Sequence, residues 1–180
     1  TKTTNGAVVI EGDIAASADL SLITADLSFE DGGSANNPAV ADGATLELTA
    51  AQATGLTITK TTNGAVQING DIGADTDLSA ITADLSFENG TAAVGNGFNL
   101  TLTQAQATGK TLTSTGTVKI ESSGTNEFAV AADLDLSSIS ATLSLLDSDG
   151  DAVTALDVAD NATLTLTAAQ ATGLTITKTT

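Results

Sequence analysis

The stretch LTAAQATGLTITKTT runs from Leu48 to Thr62 and returns unchanged from Leu166 to Thr180. Its second half alternates apolar and polar residues, with Leu56 and Ile58 separated by Thr57 and followed by Thr59. Just upstream, Leu46 and Leu48 alternate with Thr45, Glu47 and Thr49. A period of two marks a half-buried strand, and Thr is itself a good strand former. Between the two alternating segments, Ala50-Ala51-Gln52-Ala53-Thr54-Gly55 is too short for an independent helix. It reads as one helical turn, started by the Thr49 hydroxyl and stopped by Gly55. The stretch is therefore strand, corner, strand.

Outward from it, the whole chain is repetitive. TKTTNGAV at Thr1 to Val8 recurs at Thr59 to Val66, and ITADLSFE at Ile23 to Glu30 recurs at Ile81 to Glu88, each 58 residues on. A diverged third copy, ISATLSLL, begins at Ile139, and QATG stands at Gln52, Gln106 and Gln170. The repeat units are 1–58, 59–116 and 117–180, with 177–180 in phase with the start of a further unit. A period of this size signals a solenoid, propeller or array.

Thin alternating strands joined by small-residue corners predict an all-β, repeat-built parallel β-solenoid of the β-helix kind. Each unit of about 58 residues would make roughly three coils of ~19 to 20, rising ~4.7 Å per coil. The alternative is a tandem of small β-sandwiches, although a seven-strand sandwich needs about 100 residues. The solenoid reading points Val8, Ile10, Leu27, Phe29, Leu46, Leu48, Leu56 and Ile58 inward, with their counterparts in later units. It places Thr1 and Thr180 at opposite ends of a rod about 40 Å long. With no distinct polar or helical cap in the sequence, it also predicts end-to-end self-association or continuation in a longer chain.

Composition narrows the function classes. The 180 residues contain 5 basic and 22 acidic side chains, a net charge of -17, with no His, Cys, Met, Trp or Tyr. All five basic residues are Lys. A Ser-His-Asp triad, a thiolate nucleophile, a zinc site of His and Cys, and a disulfide framework all lack their residues. A polyanion without clustered Lys or Arg is not built for nucleic acid. No run of about 18 apolar residues predicts a membrane span. Hydrophobic residues still make up 41 %, enough for a core, but only four are aromatic, Phe29, Phe87, Phe98 and Phe128. The expected core is thin, aliphatic and regular.

The phrases LTLTAAQATGLTITKT and ADLS followed by ITADLSF resemble the repeats of very large bacterial surface proteins of the adhesin, S-layer and β-strand-repeat type. The resemblance covers essentially the whole chain and is one of repeat and composition. It implies a secreted structural segment at the bacterial cell surface, exported without disulfides, often binding calcium, and in possible contact with cell-surface glycans. The calcium-binding nonapeptide GGxGxDxUx is absent here, which argues against a β-roll of that type.

The carboxylates Asp13, Asp71, Asp19, Asp77, Asp26, Asp84 and Asp133 recur in register, and they read as solvated turn and strand-edge groups that keep edges from pairing. Paired carboxylates of a glycosidase would need a defined separation in a cleft, so no enzyme is expected. One cluster is sharper: Asp147-Ser148-Asp149-Gly150-Asp151 spaces three carboxylates around a Gly, as a loop wrapping Ca2+ would. Asp147, Asp149 and Asp151 are the candidate metal ligands. Thr-x-Thr pairs, such as Thr57 with Thr59 and Thr101 with Thr103, carry an alternative in which a flat Thr-lined solenoid orders water or ice, or binds carbohydrate. That mechanism requires a pair on every coil of one face.

Overall fold

The computed structural model describes residues 6–31, 34–35 and 37–179, of which 31, 34 and 35 are described by their backbone alone. Thr1 and Thr180, assigned above to opposite ends of a rod, lie outside the described residues. About 43 % of the chain is strand. The ladders between successive coils are parallel, which hairpin-built sandwiches cannot supply, and the fold is the expected β-solenoid. The chain divides into two compact units, residues 1–70 with 76–89, and residues 71–75 with 90–180.

In the first unit, strand Ala7–Glu11 pairs with Asp26–Asp31, setting Val8 opposite Leu27 and Ile10 opposite Phe29. Strands Thr45–Thr49, Ala65–Asn69 and Asp84–Phe87 form a longer stack. Leu46, Val66 and Leu85 make one ladder, and Leu48, Ile68 and Phe87 the next. Strand starts fall 19 or 20 residues apart, the coil length expected from the repeat. The second unit repeats the scheme with Asn99–Thr103, Thr117–Glu121 and Thr142–Leu146. Its ladders are Leu100, Val118, Leu143 and Leu102, Ile120, Leu145. A further stack sets Phe128, Leu156 and Ile176 in line, across Phe128–Val130, Ala155–Val158 and Thr175–Lys178.

Burial follows coil order. Leu46, Leu48, Val66, Ile68, Leu100, Leu102, Val118 and Ile120 are fully buried, each worth about 1.5–3 kcal/mol of hydrophobic stabilisation. Val8, Ile10 and Leu27 were expected inward as well, and they are half-buried. So are Leu164, Leu166 and Leu174, while Ile176 is exposed. Val8 and Ile10 belong to the first coil of the described chain and Leu164, Leu166, Leu174 and Ile176 to the last, where a neighbouring coil lies on one side alone; Leu27 is in the second coil, on the strand of the fully buried Phe29. Phe29, Leu56 and Ile58 are buried as expected.

Coils approach closely where the repeat places Gly before the inward strand. A Cβ at Gly64 would stand 2.2 Å from the Val40 carbonyl oxygen, and one at Gly116 2.5 Å from that of Gly95. Corners are held by the Thr–Gln pair of the repeat. Ala50–Ala53 is a single helical turn whose N-cap is Thr49, closed by a reciprocal capping box with Gln52. The Gln52 Oε1 accepts from the Thr49 N–H at 2.7 Å, and its Nε2 donates to the carbonyls of Leu20 at 2.8 Å and Ile23 at 2.9 Å. Gly55 then leaves the turn at φ +74°. In the second unit Gln170 does the same, capping with Thr167 and donating to Leu136 and Ile139 at 2.8 and 2.9 Å. The QATG signature is thus a clamp that ties one corner to the corner before it.

Candidate functional site

The carboxylates are the most numerous chemical groups, and most of those that recur hold backbone. Where a corner interrupts the strand ladder, the next coil is left with an N–H lacking a carbonyl opposite, and an Asp or Ser of the previous coil accepts it. Asp13 accepts from Ala39 at 2.9 Å and its repeat equivalent Asp71 from Ala93 at 3.1 Å. Ser17, Asp75 and Asp133, equivalent in the repeat, accept from Thr45, Asn99 and Thr163 at 3.0, 2.9 and 2.8 Å. Asp42 takes both the backbone N–H and the side-chain amide of Asn63.

A third set builds the corner itself. In Asp19-Leu20-Ser21, Asp77-Leu78-Ser79 and Asp135-Leu136-Ser137 the carboxylate accepts the hydroxyl and the backbone N–H of the Ser two residues on. These bonds favour the ionised form, and the Ser hydroxyl first, then the Ser N–H, hold Asp19 and Asp135 below the ordinary carboxylate value. The expectation of merely solvated carboxylates is therefore refined: they lie near the surface and pin coil register. Asp84 pairs with Lys60 across adjacent coils.

The acidic cluster at 147–151 is arranged around one side chain. Asp147 is 3 % exposed, and its Oδ1 accepts the N–H groups of Asp149 at 3.0 Å and Asp151 at 2.9 Å. Its Oδ2 accepts the N–H of Asn126 at 3.1 Å, from a loop of the preceding coil. Asp149 and Asp151 are exposed. Among the described residues, no three Asp or Glu side chains are grouped so as to hold a metal ion. The alternating spacing supplies a turn whose N–H groups converge on Asp147.

Two clefts mark the same place in the repeat. In the first unit a cleft of about 610 Å3 lies between the corner Ser21–Ser28 and the helical turn with Thr49, Gln52 and Thr54. In the second, a cleft of about 690 Å3 lies between Ser137–Leu145 and the turn with Thr167, Gln170 and Thr172. Ser and Thr residues line each cleft, together with Leu27 and Leu56 in the first and Leu143 and Leu174 in the second. Neither lining brings two carboxylates together, so the acid–base pair of a glycosidase is not formed there. The composition shared by ITADLS and AQATG held this signal, but periodicity alone did not show that the two segments flank one groove.

The Thr-x-Thr pairs do not form ranks. Thr101 stands beside Lys119, which is followed by Ser144, and Thr103 beside Glu121, which is followed by Leu146. Thr57 is exposed, and Thr59 pairs with Ala39. Thr meets Thr at Thr91 with Thr111 and at Thr117 with Thr142, without continuing over a third coil in these ladders. No protein-family model, curated protein or solved structure matches the chain.

Proposed function

We propose that this chain is a structural segment of an extracellular bacterial surface protein, an adhesin stalk, surface layer or filament, whose work is to build and present a β-solenoid. The observation that supports this most directly is the recurrence of one stapling set. The Asp-Leu-Ser corner recurs in all three repeats, and the capping-box Gln clamp and the carboxylate pins in both compact units. A chain that spends its recurrent polar groups on coil register is organised for extension. The exposed acidic surface suits a protein that meets solvent and neighbouring acidic surfaces without sticking.

The test is location. Antibody raised against the folded chain should label intact source cells, and protease shaving of those cells should release its peptides. Labelling only after cell lysis would refute the surface assignment. A second reading is favoured by the recurrence of the clefts, whose mixed lining of hydroxyl and aliphatic residues suits a neutral carbohydrate. Glycan-array binding that is lost when Thr54→Trp and Thr172→Trp fill both clefts supports it. Binding unaffected by these changes refutes it.

A further inference from the structure

The same fifteen residues occur in two states of cover. Leu48 and Ile58 have no exposure and Leu56 5 %, whereas their twins Leu166 and Leu174 are half-buried and Ile176 is 48 % exposed. What differs is the coil that follows. Leu48 is covered by Ile68 through the ladder of Thr45–Thr49 with Ala65–Asn69, and the Ile58 carbonyl accepts from Thr82 and Ala83. The strand before the helical turn is shorter without that cover, while the strand after it is longer, Thr175–Lys178 against Thr59–Lys60. Thr45–Thr49 and Asn99–Thr103 each run five residues, but their counterpart is reduced to Leu164–Thr165.

The covering coil carries TKTTNGAV at Thr59 to Val66, and the same octapeptide opens the chain at Thr1 to Val8. Within it, Gly64 needs to be Gly because Val40 leaves no room for a Cβ. Gly116 is Gly for the same reason, against Val94 and Gly95. Gly6 occupies the equivalent place, yet a Cβ there meets nothing within 4 Å and its φ is not in the left-handed region. Nothing within the described chain requires that glycine.

We propose that the last coil is the docking surface for the first coil of a second copy of this chain, Leu164 opposite Val8 and Leu166 opposite Ile10. In that register Gly6 meets Val158, the repeat equivalent of Val40, and the small residue has its reason. The polar face agrees. Inside the first unit Glu47 accepts from the amides of Gln67 and Asn69 at 3.3 and 2.9 Å. In the first coil these positions are Val9 and Glu11, so a Glu opposite would face a carboxylate, and the last coil has Thr165 there instead. The second unit already pairs such strands: NLTLT at Asn99–Thr103 lies against TVKIE at Thr117–Glu121, with Thr103 opposite Glu121. TLTLT at Thr163 to Thr167 against AVVIE at Ala7–Glu11 repeats that match. The interface is heterologous, so each added copy still carries one unused surface. This inference holds wherever the protein resides.

Sedimentation velocity over a concentration series tests it, in roughly 0.15 M salt so that the charge of -17 is screened beyond about 8 Å. The 17.7 kDa chain should show a mass that rises with concentration. Gly6→Val blocks the first coil and Ile176→Lys the last, and each variant alone should stay monomeric with an unchanged far-UV spectrum. Mixed in equal amounts they should form a species of twice the monomer mass and nothing larger, because one good surface of each kind remains. If Gly6→Val perturbs the spectrum, Gly6→Ala takes its place. A wild-type chain that is monomeric throughout overturns the proposal, as do single variants that associate like wild type or a mixture that does not pair.

Discussion

Replacing Gln52 separates a clamp from a merely polar surface residue. Its amide makes three hydrogen bonds to backbone: from the Thr49 N–H at 2.7 Å, and to the Leu20 and Ile23 carbonyls at 2.8 and 2.9 Å. At about 0.5–1.5 kcal/mol net for each bond, Gln52→Ala should cost about 2–4 kcal/mol, reduced by a few tenths through the better helix propensity of Ala. Gln52→Glu is nearly isosteric and keeps the acceptor, but it sets a carboxylate against two carbonyl oxygens that had been receiving protons. At pH 7 it should therefore be the more damaging substitution. Protonation is favoured in the folded state of that variant, so its folded pKa lies above the usual ~4.3 and its deficit relative to wild type shrinks as pH falls through it. Urea unfolding followed by far-UV circular dichroism reads the totals. Hydrogen exchange at the Ile23 amide, which donates to the Leu20 carbonyl, reads the corner itself. A Glu variant as stable as the Ala variant at pH 7 would refute the clamp.

Asp147→Ala should destabilise by on the order of 3 kcal/mol, since three N–H groups lose a charged acceptor, and Asp147→Asn by less because Oδ1 can still serve Asp149 and Asp151. Calorimetry with added calcium and with chelator should give one melting temperature for the wild type if Asp147 serves backbone alone, and a rise with calcium would show that the loop also takes the cation. Gly116→Ala should cost about 1–3 kcal/mol, because its Cβ would meet the Gly95 oxygen at 2.5 Å and the Val94 side chain at 2.6 Å. An unchanged urea midpoint would contradict so close an approach of the coils. The Ser hydroxyl and N–H hold Asp19 and Asp135 below the ordinary carboxylate value when folded, so their contribution is full above that ordinary value and is lost as pH falls through the lowered ones. Carbon-detected NMR titration should return Asp19 to an ordinary pKa in Ser21→Ala, and no movement there would refute the assigned cause.

Much of this fold was legible because the repeat presents the same inference several times. Alternation at Leu46 and Leu48 gave the inward face, and the spacing of 58 divided into coils of the observed length. Thr49 and Gly55 were recognisable as the start and stop of one helical turn. The partners of Gln52 were not legible, because Leu20 and Ile23 lie about thirty residues earlier and no local pattern says which corner a side chain reaches. The backbone partners of Asp13 and Asp71, both of which are exposed, were hidden for a related reason. Whether a surface Asp is solvated or holds an N–H depends on where the neighbouring coil's ladder breaks, which is a property of two coils. The half-exposure of Val8 and Leu164 is likewise set by stacking order, and it is invisible to a reading in which all copies are equivalent.

The third repeat shows what stacking order does to sequence change. Relative to the earlier copies it carries extra residues after Glu121, and the segment following Leu146 is also remodelled. The strand starts Thr117 and Thr142 are consequently 25 residues apart, against 18 from Asn99 to Thr117 and 19 from Ala65 to Asp84. A loop added to one coil projects beside the next coil, and its backbone groups go unpaired unless that coil changes with it. Here the two altered segments satisfy each other. Asn126 donates to Asp147, Ser148 donates to the Gly124 carbonyl at 2.8 Å, and strand Phe128–Val130 pairs with Ala155–Val158, lengthening the single bridge that Ile14 makes with Val40 and Ile72 with Val94 in the earlier copies. Phe128, fully buried, fills the space the enlarged coil opens. The unit therefore absorbed its insertions as a matched pair in adjacent coils, and Asp147 is the residue that joins them. The acidic run 147–151 thus has an architectural role, with its buried carboxylate directed at backbone from two coils.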